Sequence, residues 1–224
     1  MNELDVIGVG KSYGGAVAVG PLDLTIEAGQ RVALLGHNGS GKTTLLRMVA
    51  GLLEPSIGTI TVYGRPVDSL EARAATSYLA DHPVFYDDLS VREHLEYIAR
   101  LHGRDDWEEA GEALLERLGL GDRGDDLPTT FSRGLRQRAA IAIAFIRPFR
   151  LLLVDEPFVG LDRTGREALL ALLAEAHADG AALIVATHEL TTVGLSERVV
   201  ALRDGTVAYD GVASGADLDD VAAR

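Results

Sequence analysis

The sequence predicts an α/β fold, in which a mainly parallel sheet core is joined by an antiparallel β segment and interrupted by a helical segment. Short continuous apolar runs are typical of parallel strands buried on both faces, and they occur at residues 32–35, 151–154 and 183–186. Alternating apolar and polar residues are typical of half-buried antiparallel strands, and they occur at residues 22–26 and 59–63. From Tyr78 to Pro148, helical patterns replace the strand patterns.

Length and composition fit one globular domain. The chain has 224 residues, of which 47% are hydrophobic and 25% are charged, and domains commonly contain about 50–250 residues. No repeat, proline-rich linker or low-complexity tract marks a boundary. We expect a single domain over residues 1–224, with a core from residues 1–78 and 149–224 and a helical subdomain from residues 79–148.

Charge and residue usage exclude several classes of function. The formal net charge of −13 argues against a protein that coats nucleic acid, because that binding depends on Lys and Arg meeting phosphates. With no Cys, the chain has no disulfide framework, Cys-based zinc site or thiol nucleophile. The longest apolar run, residues 139–146, is shorter than the roughly 20 residues of a membrane helix, and the first residues lack a secretory signal pattern. We therefore expect a cytoplasmic protein that spans no membrane and binds no nucleic acid.

Two helices are predicted at the start of the helical segment. Ser90 and Glu93 form the pattern of a capping box, and apolar residues follow at helical spacing, so a helix is expected from about Ser90 to His102. A second helix is expected to begin near residues 105–106 and to end at Gly119, since glycine commonly follows the last turn of a helix.

A glycine-rich loop predicts a phosphate-binding site. Residues 36–43 match the pattern G-x-x-x-x-G-K-S/T between an apolar strand at 31–35 and a helical run that begins near Leu45. In such a loop the backbone N–H groups and the dipole of the following helix bind the phosphates of a nucleotide. Lys42 is expected to reach the β- and γ-phosphates, and the Thr43 hydroxyl to bind Mg²⁺. The flanking strand and helix argue against a chance glycine-rich turn. The predicted ATP-binding residues are Gly36, His37, Asn38, Gly39, Ser40, Gly41, Lys42, Thr43 and Thr44.

Two acidic residues follow the apolar run at 151–154. Ligands of parallel α/β sheets bind beyond the carboxyl ends of the strands, so Asp155 and Glu156 are expected to face the phosphate loop. Adjacent residues leave a strand in different directions and can therefore take different roles. Asp155 is predicted to be a Mg²⁺ ligand and Glu156 to orient the attacking water. Alone the pair could be a charged turn that caps a buried strand; beside a phosphate loop it predicts nucleotide hydrolysis.

Further motifs resemble those of a known family. Residues 131–138, Phe-Ser-Arg-Gly-Leu-Arg-Gln-Arg, resemble the signature motif of ABC ATPases, usually written LSGGQ. Residues 159–162 look like the D-loop of that family, and residues 186–188 look like its H-loop. Tyr13 stands where the family's adenine-stacking aromatic residue is found. These motifs follow the family's order over nearly the whole chain, so the sequence is similar to the ATP-binding subunits of ABC transporters.

The resemblance implies a P-loop NTPase fold and a mechanism. Members of the family have a RecA-like parallel core, an antiparallel β subdomain and a helical subdomain, and two subunits pair head to tail around ATP and Mg²⁺. A homodimer is expected here, with a separate transmembrane permease that holds it on the inner face of the cell membrane. His188 would contact the γ-phosphate beside Glu156. The residues that would bind the ATP of the second subunit are Ser132, Arg133, Gly134 and Asp162.

Three of these residues also have simpler explanations. Tyr13 could pack on Pro21 at a strand end, His188 could satisfy the end of a strand, and Ser132 could be an ordinary N-cap. Their order and spacing relative to the phosphate loop and the acidic pair favour the functional roles.

The signature departs from the usual form at Phe131, Arg133 and Leu135. Arg133 places a cation near the expected γ-phosphate, where it would either strengthen binding or form an outward ion pair. The Phe-Ser-Arg-Gly start is similar to that of the haem exporters of cytochrome c maturation, which favours export over import.

A second departure lies at the family's Q-loop, residues 78–83. The position usually held by Gln falls on Asp81, or on His82 if the loop is shifted by one residue. An ionised Asp only accepts hydrogen bonds, so Asp81 is predicted to face Mg²⁺ or its bound water, whereas His82 could donate a hydrogen bond. Another interpretation is that the loop acts mainly through its backbone.

The predicted function is ATP hydrolysis that powers a transmembrane transporter. Phe85 and Tyr86 are candidates for the groove that receives the permease in this family; alternatively they pack under the helical segment. ABC ATPases of DNA repair, chromosome maintenance or ribosomes carry coiled-coil insertions or two cassettes, and neither is found in these 224 residues. Another P-loop phosphotransferase, such as a small-molecule kinase, would need no signature motif.

Overall fold

The structure, a computed structural model, describes residues 2–188 and 196–212. Its strands in chain order are β1 (Asn2–Tyr13), β2 (Ala16–Glu27), β3 (Arg31–Leu35), β4 (Ile57–Val62), β5 (Arg65–Pro66), β6 (Thr76–Leu79), β7 (Leu151–Asp155), β8 (Ala182–Thr187), β9 (Arg198–Arg203) and β10 (Thr206–Gly211). Its α-helices in chain order are α1 (Lys42–Val49), α2 (Leu70–Ala75), α3 (Val91–Leu101), α4 (Trp107–Arg117), α5 (Arg133–Ile146) and α6 (Arg163–Ala178).

One sheet is antiparallel and has the strand order β2-β1-β4-β5. In β2, Leu22, Leu24 and Ile26 are buried, whereas Asp23 and Thr25 are exposed. This alternation arises because successive side chains of a strand point to opposite faces of the sheet. The predicted half-buried antiparallel strands are confirmed.

The second sheet has the strand order β10-β9-β3-β8-β7-β6. Strand β3 runs parallel to β8 and β9, and β7 runs parallel to β8, whereas β10 is antiparallel to β9. Every residue of β7 and β8 is buried, as expected for strands covered on both faces. The three continuous apolar runs therefore form the centre of a parallel sheet, as predicted. The sequence patterns did not predict β6, β9 and β10.

Helix α1 shares a hydrophobic core with both sheets. Leu45, Leu46 and Met48 of this helix join a cluster that includes Leu4 of β1 and Leu153 of β7. Burial of three large side chains of this kind stabilises the helix position by several kcal/mol in total, at roughly 1.5–3 kcal/mol for each side chain. The start of α1, and the loop that leads into it from β3, are therefore held against a rigid core.

Helix ends follow local sequence signals. Ser90 Oγ accepts the N–H of Glu93, and the Glu93 carboxylate accepts the N–H of Ser90 at 2.7 Å, so the predicted capping box of α3 is complete. These bonds hold the pKa of Glu93 below its ordinary value. Gly119, with φ +65°, follows α4 as predicted. The helix after the phosphate loop is shorter than its pattern suggested, because α1 ends at Val49 and Leu52 is exposed.

The chain divides into two compact units. One contains the residues up to Tyr78, Phe149–Glu156 and the residues from His177 onward, and it holds the two sheets with α1 and α2. The other contains Leu79–Pro148 and Pro157–Ala176 and is mainly helical. The sequence placed residues 157–176 with the core, but in the structure they group with the helical segment, because side chains of α5 bind the chain that follows Glu156.

In the part of the chain that the structure describes, no helix is both long enough and apolar enough to cross a membrane.

Candidate functional site

The phosphate loop lies between β3 and α1, and its close packing requires glycine at two positions. At Gly36 (φ +153°), a Cβ would lie 2.5 Å from the carbonyl oxygen of Leu202 and would also collide with Ser40 Oγ. At Gly41 (φ +104°), a Cβ would lie 2.8 Å from the carbonyl oxygen of Ala18. Both φ angles are also unfavourable for residues that carry a side chain. The loop can adopt this curled backbone only with the glycines that the motif supplies.

The turn between β9 and β10 supports the loop from one side. The N–H of Gly205 donates to the carbonyl of Ser40 at 3.1 Å, and Gly20 donates to the carbonyl of Gly205 at 2.7 Å. His37 Nε2 lies 3.7 Å from a carboxylate oxygen of Asp204. The sequence analysis missed this support, although the Asp-Gly dipeptide at 204–205 is a typical hairpin turn signal.

Lys42 is buried within the loop and contacts three oxygen atoms. Its Nζ donates to the carbonyl of Gly36 at 2.6 Å and to that of His37 at 3.3 Å, and it lies 3.5 Å from Glu156 Oε1. Only 5% of the residue is exposed. A buried ammonium needs such partners, and a phosphate group could replace all three of them.

Asp155 and Glu156 leave the end of β7 in different directions, as predicted. Asp155 is completely buried, and the Tyr78 hydroxyl donates to its Oδ2 at 3.4 Å. Burial and the charge of Asp155 raise the pKa of Tyr78 to about 12. Glu156 has a left-handed backbone, φ +45°, and its N–H donates to the carbonyl of Ala186 at 2.9 Å. A non-glycine residue held in this conformation costs of order 1–3 kcal/mol, and such strain is typical of functional sites.

The Glu156 carboxylate lies between the two other residues that were predicted to be catalytic, His188 and Lys42. His188 follows β8, which lies beside β7 in the parallel sheet, and His188 Nδ1 donates to Glu156 Oε2 at 2.9 Å. Because a carboxylate only accepts hydrogen bonds, this contact places the proton on Nδ1. The other oxygen of the same carboxylate lies beside Lys42. The structure thus brings together Lys42, Glu156 and His188, the three residues that the sequence analysis placed in catalysis.

The available oxygen atoms fit a magnesium nucleotide. Ser40 Oγ and Glu156 Oε1 are buried and make no hydrogen bond, although Oε1 lies 3.5 Å from Lys42 Nζ, and both oxygens can accept new partners. Thr43 and Thr44 lie half-buried in the first turn of α1, and Thr43 and Asp155 supply the hydroxyl and carboxylate oxygens that Mg²⁺ prefers. Within residues 2–188 and 196–212, no group of three His, Asp or Glu side chains could hold a metal by itself. Mg²⁺ commonly binds one or two protein oxygens together with phosphates and water.

Tyr13 presents an exposed aromatic ring. Tyr13 is the last residue of β1, and Gly14 and Gly15 follow it in a turn. Half of the residue is exposed. The ammonium of Lys11 lies 5.4 Å from the centre of its ring. An exposed ring is available for stacking on a base, so the predicted adenine contact stays a prediction that the geometry permits.

The signature residues lie at the start of α5. Ser132 is the N-cap, and its Oγ accepts the N–H of Leu135 at 3.4 Å. At Gly134, a Cβ would lie only 2.7 Å from the carbonyl oxygen of Gly160, so glycine allows a close approach to the D-loop. Ser132 therefore fills the N-cap role that was considered as its simpler explanation. The positive end of the α5 dipole therefore lies beside Ser132.

Two further residues of α5 bind the D-loop and the chain just before it. Arg138 donates to Asp162 Oδ1 and to the carbonyl of Leu118, and Asp162 Oδ1 also accepts the N–H of Gly165 at 2.9 Å. These contacts hold the pKa of Asp162 below its ordinary value, the Gly165 N–H first and Arg138 second. Gln137 is buried and donates to the carbonyl of Pro157 at 3.3 Å. Sequence reasoning did not assign roles to Gln137 or Arg138.

Asp81 and His82 contact each other. His82 Nδ1 lies 2.9 Å from Asp81 Oδ2, and Arg133 Nη2 lies 3.8 Å from Asp81 Oδ1. Arg133 was expected either to strengthen binding of the γ-phosphate or to form an ion pair, and in the structure it forms an ion pair with Asp81. The predicted metal role of Asp81 stays a prediction.

Phe85 and Tyr86 pack around His94 of α3. The Tyr86 ring stacks on His94 at 5.9 Å, and the Phe85 ring meets it edge-on at 5.6 Å. The Tyr86 N–H donates to His94 Nε2, and His94 Nδ1 donates to the carbonyl of Ser90. Tyr86 nevertheless remains 54% exposed, next to the exposed Val84. Phe85 and Tyr86 therefore pack on the helical segment, as the alternative interpretation expected, and Val84 and Tyr86 still present an exposed apolar surface.

The fold and this site together define a P-loop nucleotide-binding domain. A family model described as ABC transporter matches residues 19–159. A putative ABC transporter ATP-binding protein of Halobacterium salinarum is 40% identical over 206 residues, which cover 89% of this chain and 88% of that protein. The SkfA peptide export ATP-binding protein of Bacillus subtilis is 32% identical over 213 residues, which cover 94% of this chain and 89% of that protein. The chain belongs to the ABC transporter family and is its ATP-binding cassette.

Other relatives are longer, and solved structures share the fold. A macrolide export ATP-binding/permease protein of Rhodopseudomonas palustris is 37% identical over 203 residues, which cover 87% of this chain but 31% of that protein, so this chain spans about a third of its length. The solved ATP-binding subunit of an ABC transporter is 30% identical, covers 99% of both chains and superposes with a TM-score of 0.91. A dimeric ATP-binding cassette bound to ADP and phosphate superposes with a TM-score of 0.87 over 95% of this chain and 99% of that one, and its 24% identity shows the fold alone.

Proposed function

We propose that this chain hydrolyses ATP between two copies of itself and thereby drives a separate membrane-spanning permease. The observation that carries the proposal is the position of the Glu156 carboxylate, which lies 3.5 Å from Lys42 Nζ and 2.9 Å from His188 Nδ1. A carboxylate between a phosphate-binding cation and an orienting histidine is suited to hold an attacking water next to a γ-phosphate.

Each residue of the site has a separate role in binding or hydrolysis. Lys42 exchanges its loop carbonyls for phosphate oxygens, and the loop N–H groups complete the binding of the phosphates. The hydrogen bond from His188 Nδ1 to Oε2 fixes the orientation of Glu156, and Oε1, which lies beside Lys42 until Lys42 turns to the phosphates, then accepts a proton from water. Mg²⁺, held by Thr43 and Asp155, would supply positive charge to the phosphates. We also propose that the Tyr13 ring stacks on adenine.

The signature face supports a role for a second copy. Ser132, Gly134 and the first turn of α5 present N–H groups and the positive end of a 14-residue helix. Asp162 is held beside this face by Arg138. These groups suit a phosphate that arrives from another chain, so the ATP of each copy would join the two subunits.

The nature of the membrane partner follows from the relatives and one surface. Reported relatives are named for peptide export and macrolide export, and we propose export for this chain as well. The haem-exporter likeness of the signature stays a prediction. Val84 and Tyr86 are exposed before α3, and the Tyr86 ring contacts the exposed Tyr97 ring in the middle of this helix. We propose this surface, beside Phe85, as the permease contact. Binding there would place the protein on the inner face of the cell membrane.

The test is Glu156→Gln, which removes the charge and keeps the size of the side chain. We expect ATP hydrolysis to fall by at least about 100-fold, since general bases contribute roughly 10²–10⁴, while ATP binding is retained. Because hydrolysis no longer removes the bridging γ-phosphate, the variant should form a dimer with ATP and Mg²⁺ in light scattering. Wild type should be mainly monomeric under the same conditions.

Two variants make the result specific. Glu197→Gln alters an ion-paired carboxylate outside the site, which contacts Arg31 at 3.4 Å, and it should leave hydrolysis unchanged. Ser132→Arg, added to Glu156→Gln, should abolish the dimer while each chain still binds ATP. Normal hydrolysis by Glu156→Gln would disprove the catalytic role, and a monomer at saturating ATP would count against a stable sandwich of isolated subunits.

A further inference from the structure

Two departures from the usual ABC motifs carry opposite charges and lie side by side. The Q-loop is predicted to have Asp81, or His82 if the loop is shifted by one residue, where Gln is usual, and the signature has Arg133 where Gly is usual. Arg133 Nη2 lies 3.8 Å from Asp81 Oδ1 within the helical unit. We infer that Asp81 is the internal counter-ion of Arg133 and competes with the ATP phosphate of a second copy for this guanidinium. The inference rests on the proposed function, because it requires the ATP of another chain to reach the signature.

The environment of Arg133 explains why it needs an anion. It is the first residue of α5, at the positive end of the helix dipole, and the first turn of this helix contains no acidic residue. A cation is unfavourable at that position. The neighbouring arginines have other partners: Arg136 donates to the carbonyls of Pro128 and Thr129, and Arg138 binds the D-loop. The carboxylate of Asp81 provides the anion that the start of α5 itself lacks.

The geometry leaves Arg133 able to change partners. Its stem lies close to Gly160, where an added Cβ would be 3.3 Å from Arg133 Cγ. The side chain is still 63% exposed, and its contact with Asp81 is long. A phosphate carries more charge than a carboxylate and can accept two parallel hydrogen bonds from a guanidinium. The ATP of a second copy would therefore displace Asp81.

Displacement has a consequence for the Q-loop. The Asp81 carboxylate is 28% exposed and is also contacted by His82 Nδ1 at 2.9 Å. When Arg133 turns to phosphate, Asp81 loses its ion pair with α5 and keeps its contact with His82. The segment that follows Asp81 leads directly to Tyr86, which packs on His94. The two departures thus form one exchangeable contact between the signature and the segment proposed to meet the permease.

The experiment measures ATP-dependent dimerisation of the Glu156→Gln protein. Light scattering gives the ATP concentration at half-maximal dimer, with Mg²⁺ present, for Asp81→Asn, Arg133→Gln, the double variant and the charge control Glu109→Gln on the exposed surface of α4. We expect Asp81→Asn to lower this concentration about two- to fivefold, in the range of an exposed ion pair. Arg133→Gln should raise it. In the Arg133→Gln background, Asp81→Asn should have no effect, and Glu109→Gln should have none with Arg133 present.

Other outcomes would overturn the inference. If Asp81→Asn raises the midpoint equally in both backgrounds, Asp81 acts at the metal or nucleotide as the sequence suggested, independently of Arg133. If none of the Glu156→Gln proteins dimerises, the proposed sandwich fails, and the ion pair is then judged by thermal unfolding without nucleotide. There the two substitutions should be non-additive by about 1–3 °C, and additive shifts would show that the pair does not form.

Discussion

Replacing Lys42 by Ala should change two separable properties of the protein. Lys42 donates to the carbonyls of Gly36 and His37 and lies 3.5 Å from Glu156. Hydrogen bonds to charged groups contribute about 1.5–3 kcal/mol each, and the desolvation of a nearly buried ammonium opposes them. We therefore expect Lys42→Ala to fold but to lose roughly 2 kcal/mol of stability, or about 4–8 °C in Tm for a chain of this size.

The second property is the response to nucleotide. A ligand at 100 times its Kd stabilises a protein by about 2.7 kcal/mol, which raises Tm by roughly 5–11 °C. Lys42→Ala should lose most of this rise as well as ATP hydrolysis, because Lys42 supplies charge to the phosphates. Thermal melts with and without Mg²⁺ and ATP measure both properties on the same sample.

Lys11→Ala is a matched control, because it removes a lysine that lies outside the phosphate loop. Lys11 Nζ also donates to a carbonyl, that of Glu54 at 2.6 Å, but in an exposed position. Lys11→Ala should keep most of the response to ATP, because Lys11 contacts the Tyr13 ring and not the phosphate loop. A Lys42→Ala protein with wild-type Tm and an undiminished rise with ATP would refute the assignment of Lys42 to the phosphates.

Three further predictions test other parts of the molecule. Tyr13→Ala should weaken nucleotide binding more than Tyr13→Phe in a calorimetric titration, because stacking needs the ring and not the hydroxyl; equal losses would argue against an adenine contact. Arg138→Leu should release Asp162 and lower ATP hydrolysis by up to about 100-fold. Arg163→Leu, on an exposed helix face, should leave hydrolysis unchanged. If both variants hydrolyse ATP at the same rate, the D-loop does not need Arg138. Ser90→Ala should lower the free energy of unfolding by about 1 kcal/mol in urea denaturation, and an unchanged midpoint would contradict the value of the cap.

The sequence by itself determined the features that depend on neighbours in the chain. The phosphate loop at 36–43, the capping box of Ser90 and Glu93, and the glycine that follows α4 all appear where local patterns predicted them. The buried runs of β3, β7 and β8 were equally evident, because a strand covered on both faces must be continuously apolar. The resemblance of motifs then supplied the family, which the comparisons confirm.

Only the tertiary structure decided which distant side chains meet. Strand β6 has four residues and lies at the edge of a sheet, too short for a periodic signal. The ion pair of Asp81 with Arg133 and the support of Ser40 by Gly205 join residues more than 50 positions apart. The grouping of residues 157–176 with the helical unit was likewise missed. Periodicity records which face of an element is buried, whereas such contacts depend on how separate elements pack, and that packing leaves no local pattern in the chain.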